Sequence, residues 1–139
     1  TYPYILCRPY RAQRGVCPSG APRNLFDGKL ETGTINTEGV YSPYGRALRT
    51  QMIEIKPNTQ YRSSFDIKYV QSNTDSGASH NRFIFFDENR NYISYIVNKD
   101  DFITPTNAKY LAWTMYSQFK TTDIAQEAIT KTKFQVEEA

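Results

Sequence analysis

Histidine and cysteine are scarce in this chain, with one His and two Cys among 139 residues. That excludes a metal site built from several such ligands. Long apolar runs are absent too. The longest are only a few residues, such as Phe83-Ile84-Phe85-Phe86, far below the roughly 18–20 residues a membrane-crossing helix needs, so no membrane partner is expected. There is no apolar signal-peptide core, and the chain starts at Thr1 rather than Met, which reads as a processed or excised piece. Glycine is limited to seven residues, none in a phosphate-cradling pattern.

The net charge of +3 is unevenly divided. Residues 1–23 hold Arg8, Arg11, Arg14 and Arg23 and no acid, while the other thirteen basic residues face all fourteen acidic ones. The body is therefore about −1, which argues against a nucleic-acid partner, since such binders concentrate Lys and Arg on one surface. Pro3, Pro9, Gly15, Pro18, Gly20 and Pro22 break up any regular element in 1–23. That segment reads as an irregular basic arm or linker, ahead of a domain at 24–139. Cys7 and Cys17 lie in the arm. In an oxidising compartment they could close a loop worth about 2–3 kcal/mol; otherwise they are two unpaired thiols.

The body reads as strands. Over 60–70, Tyr61, Ser63, Phe65, Ile67 and Tyr69 alternate with Arg62, Ser64, Asp66 and Lys68, the period of a half-buried strand. A less regular strand over 48–55 precedes it across the turn Lys56-Pro57-Asn58-Thr59. Residues 82–86 and 92–97 are dense in aromatic and β-branched side chains, and the polar connector 87–91 has hairpin length. Strands are also expected at 108–117 and 131–136, with a weaker one inside 24–35. One stretch, 123–129, suits a helix of about two turns, and 71–81 reads as a long polar loop, mobile or ligand-binding. Together these predict an all-β antiparallel two-sheet sandwich or barrel.

Catalytic patterns are thin. His80 stands beside Ser79 and Asn81, but adjacency in sequence makes no dyad. Asp87/Glu88 and Asp100/Asp101 lie in connectors, where carboxylates commonly solvate turns. Asp87-x-Asn89-x-Asn91 imitates the start of a calcium loop, yet Tyr92 and Asn98 stand where the EF-hand needs Gly and Glu. No enzyme and no cofactor are expected, and a structural Ca²⁺ held partly by backbone carbonyls stays open. What the chain does have is eleven tyrosines and Trp113 among many amides, hydroxyls and guanidinium groups. Such rings can stack on the C–H face of a sugar while their polar neighbours bond its hydroxyls. They are equally good strand residues.

An ordered series of segments carries a family resemblance: Asn24-Leu25-Phe26, residues 49–61 ending in Pro57-Asn58-Thr59-Gln60-Tyr61, residues 85–94, Thr104-Pro105-x-Asn107-Ala108-x-Tyr110-Leu111, and the closing Lys133-Phe134-Gln135-Val136-Glu137-Glu138. The series resembles the jelly-roll carbohydrate-binding-like modules of phage tail, baseplate and tail-fibre proteins, and modules appended to bacterial surface glycosidases. It spans about 24–138. It implies a jelly roll that recognises a saccharide of a bacterial cell surface without catalysis, carried on the virion tail beside other virion subunits. Extracellular or cell-surface placement is the alternative, a homo-oligomer stays open, and no set of binding residues carries over.

The candidate binding residues come from position. Tyr41, Tyr44 and Arg46 lie in the Gly/Pro-bounded segment 39–46, either a binding surface or a packed crossover. Arg82 is a polar strand position. Within 92–97 alternation opposes Tyr92 to Tyr95, so which ring faces outward is ambiguous. Trp113 shares the more apolar face of its strand with Leu111 and Met115 and reads as core before sugar platform, which leaves Tyr116 as the exposed candidate there. Two rivals remain: an assembly module whose aromatic surface meets a partner subunit, and a small hydrolase with a cleft around His80 or two close carboxylates.

Overall fold

The computed structural model describes residues 26, 29–75, 77, 81–115 and 117–139. The arm with Cys7 and Cys17, His80 and the candidate Tyr116 lie outside the described residues. In chain order the elements are β1 (Glu31–Thr32), β2 (Thr34–Ile35), β3 (Tyr41–Ser42), β4 (Leu48–Arg49), β5 (Ile53–Glu54), β6 (Gln60–Ser64), α1 (Ile67–Asn73), β7 (Asn81–Phe86), β8 (Tyr92–Val97), β9 (Asp101–Ile103), β10 (Tyr110–Met115), α2 (Thr122–Lys131) and β11 (Gln135–Glu138). The fold is mostly β, and the strand pairs are antiparallel. A six-stranded sheet runs β1-β4-β10-β7-β8, with β5 also paired to β10. A three-stranded sheet runs β11-β6-β9, and β2-β3 form a small third sheet.

The longest hairpin is built as its sequence suggests. Asp87 Oδ1 accepts the amides of Asn89 and Asn91, both at 2.9 Å, and the Asp87 amide donates to the Asn91 carbonyl at 2.9 Å. Arg90 takes a left-handed φ of 65° to close the turn. The Asp-x-Asn-x-Asn pattern is therefore turn chemistry.

Four expectations are corrected. The strand expected over 60–70 ends at Ser64, because Asp66 caps a helix by accepting the Tyr69 amide at 3.0 Å. In that helix, α1, Ile67 points to solvent and Val70 is fully buried, the reverse of the strand reading. The loop expected over 71–81 begins instead as the last turn of α1, and Thr74 then bridges Phe119. Finally, β9 occupies the supposed acidic connector at 101, and β11 starts four residues later than expected, because α2 runs on to Lys131.

That second helix is well marked. Thr121 caps it by accepting the Ile124 amide at 3.0 Å, with Asp123 in the first turn and Lys131 in the last, each favourable to the helix dipole. Its buried Ala125 and Ala128 let it lie close to the sheet.

The main core gathers side chains from both the six-stranded and the three-stranded sheet. Phe83 and Phe85 of β7 meet Phe102 of β9 with ring centroids 4.6 and 5.8 Å apart, and Trp113 of β10 stacks on Phe134 at 4.3 Å. A second apolar cluster of Ile35, Ile84, Phe86 and Ala112 lies on the opposite face of β7 and β10. Those two strands are thus buried on both sides, which is why their sequences run apolar rather than alternating.

The β2-β3 hairpin contributes Ile35 to that second cluster. It can cross there because Gly33, at φ 144°, kinks the chain where any Cβ would stand 2.5 Å from the Arg49 guanidinium. Arg49 Nη1 in turn donates to the carbonyls of Thr34 (3.2 Å) and Ser42 (2.9 Å), and its Nε pairs with Glu31 at 2.7 Å.

Candidate functional site

A single irregularity decides which rings face outward. Along the β7-β8 ladder Arg82 pairs with Val97, Ile84 with Tyr95 and Phe85 with Ser94, and then the register shifts so that Phe86 pairs with Tyr92. Directly paired residues share a face. The bulge therefore puts Tyr92 and Tyr95, three residues apart, on the same side of the sheet, together with Val97. Simple alternation would have opposed the two rings. Ile93 and Ile96 turn to the main core instead.

The two tyrosines are 38% and 42% exposed. The Arg82 guanidinium lies 5.8 Å from the Tyr95 ring centroid, within cation–π range, and its Nη1 is held by the Ile35 carbonyl at 2.9 Å. The turn between β2 and β3 closes the other side. Gly39 adopts φ 80°, and a Cβ there would stand 2.8 Å from the Phe86 ring and 3.3 Å from the Tyr92 ring. Asn36 Oδ1 fixes this turn by accepting the amides of Glu38 and Val40. The Tyr92 hydroxyl is raised above the ordinary tyrosine range, first by desolvation and then by Tyr95 and Glu38 nearby. The result is a shallow surface of two rings, with an arginine on one flank and a polar turn on the other.

The other sequence candidates go elsewhere. Tyr41 is half-buried, donates its hydroxyl to the Thr50 carbonyl at 3.0 Å and lies 4.9 Å beneath the Arg49 guanidinium. Burial pushes its hydroxyl up to about 12 against the opposing pull of Arg49. The Tyr44 hydroxyl accepts from Arg46 at 3.3 Å, and Arg46 also reaches Gln118 Oε1 (2.7 Å), Asp75 Oδ2 (3.3 Å) and the carbonyls of Phe119 and Lys120. Arg46 thus ties segment 39–46 to residue 75 and to 118–120, while Val40 in the same segment stays 52% exposed. Trp113 is fully buried between Phe65 and Phe134, so it cannot serve as a sugar platform. Arg62, on the outer side of β6, stands opposite Asp101 and Glu137.

Tyr95 is the ring that alternation could not assign, and the signal that finds it is the bulge after a five-residue connector. Two clefts accompany the ring surface. One of about 300 Å³ lies beside β1 and β5, between Phe26, Lys29 and Met52. The other, about 400 Å³, opens between β8 and β9 over Ile96, Phe102 and Ile103. Among the described residues no three His, Cys, Asp or Glu side chains gather as a metal site would need, and no helix is long and apolar enough to cross a membrane. Compared with known protein families, curated proteins and solved structures, the chain matches none.

Proposed function

We propose that this chain is a non-catalytic saccharide-binding module with a jelly-roll-like arrangement of its two larger sheets, of the kind phage tail and baseplate proteins use to recognise a bacterial cell-surface saccharide. Its binding face is the Tyr92–Tyr95 surface flanked by Arg82. The observation that carries this reading is the β8 bulge, which sets two half-exposed rings on one face of an edge strand. Aromatic faces with polar tips suit a sugar's mixed C–H and hydroxyl surface. A surface this shallow binds weakly as a single copy, and repetition on a virion tail multiplies avidity by roughly 10²–10⁴.

The test is a calorimetric titration of the intact chain with cell-wall polysaccharide fragments, preceded by a glycan array to choose them. Tyr92→Ala and Tyr95→Ala should each weaken binding about fivefold, since a lost ring contact is worth roughly 1 kcal/mol. Tyr41→Phe should leave affinity unchanged. Binding indifferent to both ring deletions overturns this assignment.

A further inference from the structure

The backbone of β8 offers a second feature, independent of its rings. The Asn98 amide donates to the Asn81 carbonyl at 2.9 Å, which directs the backbone groups of Asn98, Ile96 and Ser94 at β7. Those of Tyr95 and Val97, between them, point away from β7. Among the described residues β7 is the one strand paired with β8, which ends the six-stranded sheet.

Natural sheets blunt such edges with charge, proline or a bulge. Here the bulge blunts the start of β8, but 94–98 (Ser-Tyr-Ile-Val-Asn) carries no charge, proline or glycine. Of the six exposed large apolar side chains among the described residues, four (Tyr92, Tyr95, Val97 and Ile103) sit on β8 or on β9, which share a cleft, and Ile103 is 68% exposed.

We propose that segment 94–98 docks against the same segment of a second copy of this chain, as an antiparallel pair with its twofold axis at Ile96. The register is set by the groups that are free. With Ile96 opposite Ile96, Tyr95 of each copy lies opposite Val97 of the other. Those two residues carry the outward N–H and C=O groups, so the pairing forms four inter-copy hydrogen bonds and extends the sheet. It also sets each Tyr95 ring beside a β-branched Val97, a favourable cross-strand pair.

On the other face, the two Ile96 side chains meet over the cleft of about 400 Å³, at the apolar part that Ile96, Phe102 and Ile103 line beside Gln60, Lys99 and Asp101. A strand that fits here must be apolar on the cleft side and ring-bearing on the other. β8 has that pattern itself, with Ile96 on one face and Tyr95 and Val97 on the other. In this register the self-pairing also sets no like charges directly opposite each other. Counted from the axis, Lys99, Asp100 and Asp101 fall opposite Ile93, Tyr92 and Asn91. The contact is small beside stable interfaces, so the dimer is weak, with a Kd on the order of 0.1–1 mM, and it fills where copies are concentrated.

Sedimentation equilibrium and amide exchange by NMR, run on the intact chain from about 10 µM to about 2 mM, test the proposal. Expected are a monomer–dimer equilibrium and exchange at the Tyr95 and Val97 amides that slows as concentration rises, while the Ser94 and Ile96 amides stay protected throughout. Val97→Pro removes no bond to β7, because that amide points outward, and it should abolish both effects. Val97→Lys does the same by charge and serves where the proline variant fails to fold. Three results overturn the proposal: a monomer at 2 mM with both amides exchanging freely, a dimer unaffected by either substitution, or both amides protected even in the dilute monomer, which would mean that another stretch of this chain covers the edge. Dimerisation is read with no saccharide present, so its loss is scored separately from saccharide binding.

Discussion

Segments 39–46 and 92–97 each present two tyrosines near an arginine, and the fold uses them in opposite ways. In the first, every polar tip is committed internally: the Tyr41 hydroxyl to Thr50, Tyr44 to Arg46, and Arg46 to Asp75, Gln118 and two carbonyls. In the second, Tyr92 and Tyr95 rest against Gly39 and Arg82 with their outer surfaces in water. The difference arises in the backbone. The first segment crosses over other elements and finds acceptors on them, whereas the second ends a sheet. An abundance of tyrosine therefore says little about recognition until each hydroxyl has been traced to its partner.

The contrast can be broken most sharply at the buried extreme. Trp113→Ala should cost about 3–5 kcal/mol in chemical denaturation, as deletion of a fully buried ring does; a loss below about 1 kcal/mol would place Trp113 outside the core. Tyr41→Ala comes next, at about 2 kcal/mol for a half-buried ring, while Tyr92→Ala should stay within about 0.5 kcal/mol as a surface change. Equal losses at the two sites would erase the distinction between packed and open rings. The finest probe is alkaline titration. Tyr41 keeps its proton to about 12 in the folded chain against 10.0 for the unperturbed group, so its contribution is complete below pH 10 and declines as pH rises toward 12. Tyr41→Phe should flatten stability over that window, read by ultraviolet absorbance and thermal melting together.

Much of the scaffold is legible in the sequence, because the signals there are local. The β7-β8 hairpin follows from two aromatic runs and a polar Asp-x-Asn-x-Asn connector, and α2 from its alanines. α1 escapes because Phe65, Ile67 and Tyr69 continue the alternation of β6, and only the capping of the Tyr69 amide by Asp66 reveals the change. β9 escapes because three residues opening on Asp101 give no period to read.

The site is less legible than the scaffold. Arg82 and Tyr92 stand among the sequence candidates, but what unites them with Tyr95 is a register shift, which depends on the partner strand and so has no signature in β8 alone. The committed polar tips of segment 39–46 likewise depend on partners beyond the segment, the Tyr41 hydroxyl on Thr50 and the Arg46 guanidinium on Gln118.

The crease at Gly33 has a consequence for how this protein could fail. Arg49 ties down both strands of the flap that follows the crease, so a side chain at position 33 would evict the guanidinium and free the flap in one step. Ile84, Phe86 and Ala112 would then lose Ile35 as a lid, leaving an oily back on a sheet whose front still held together. Damage at this one glycine would be expected to surface first as stickiness, before any loss of folded mass.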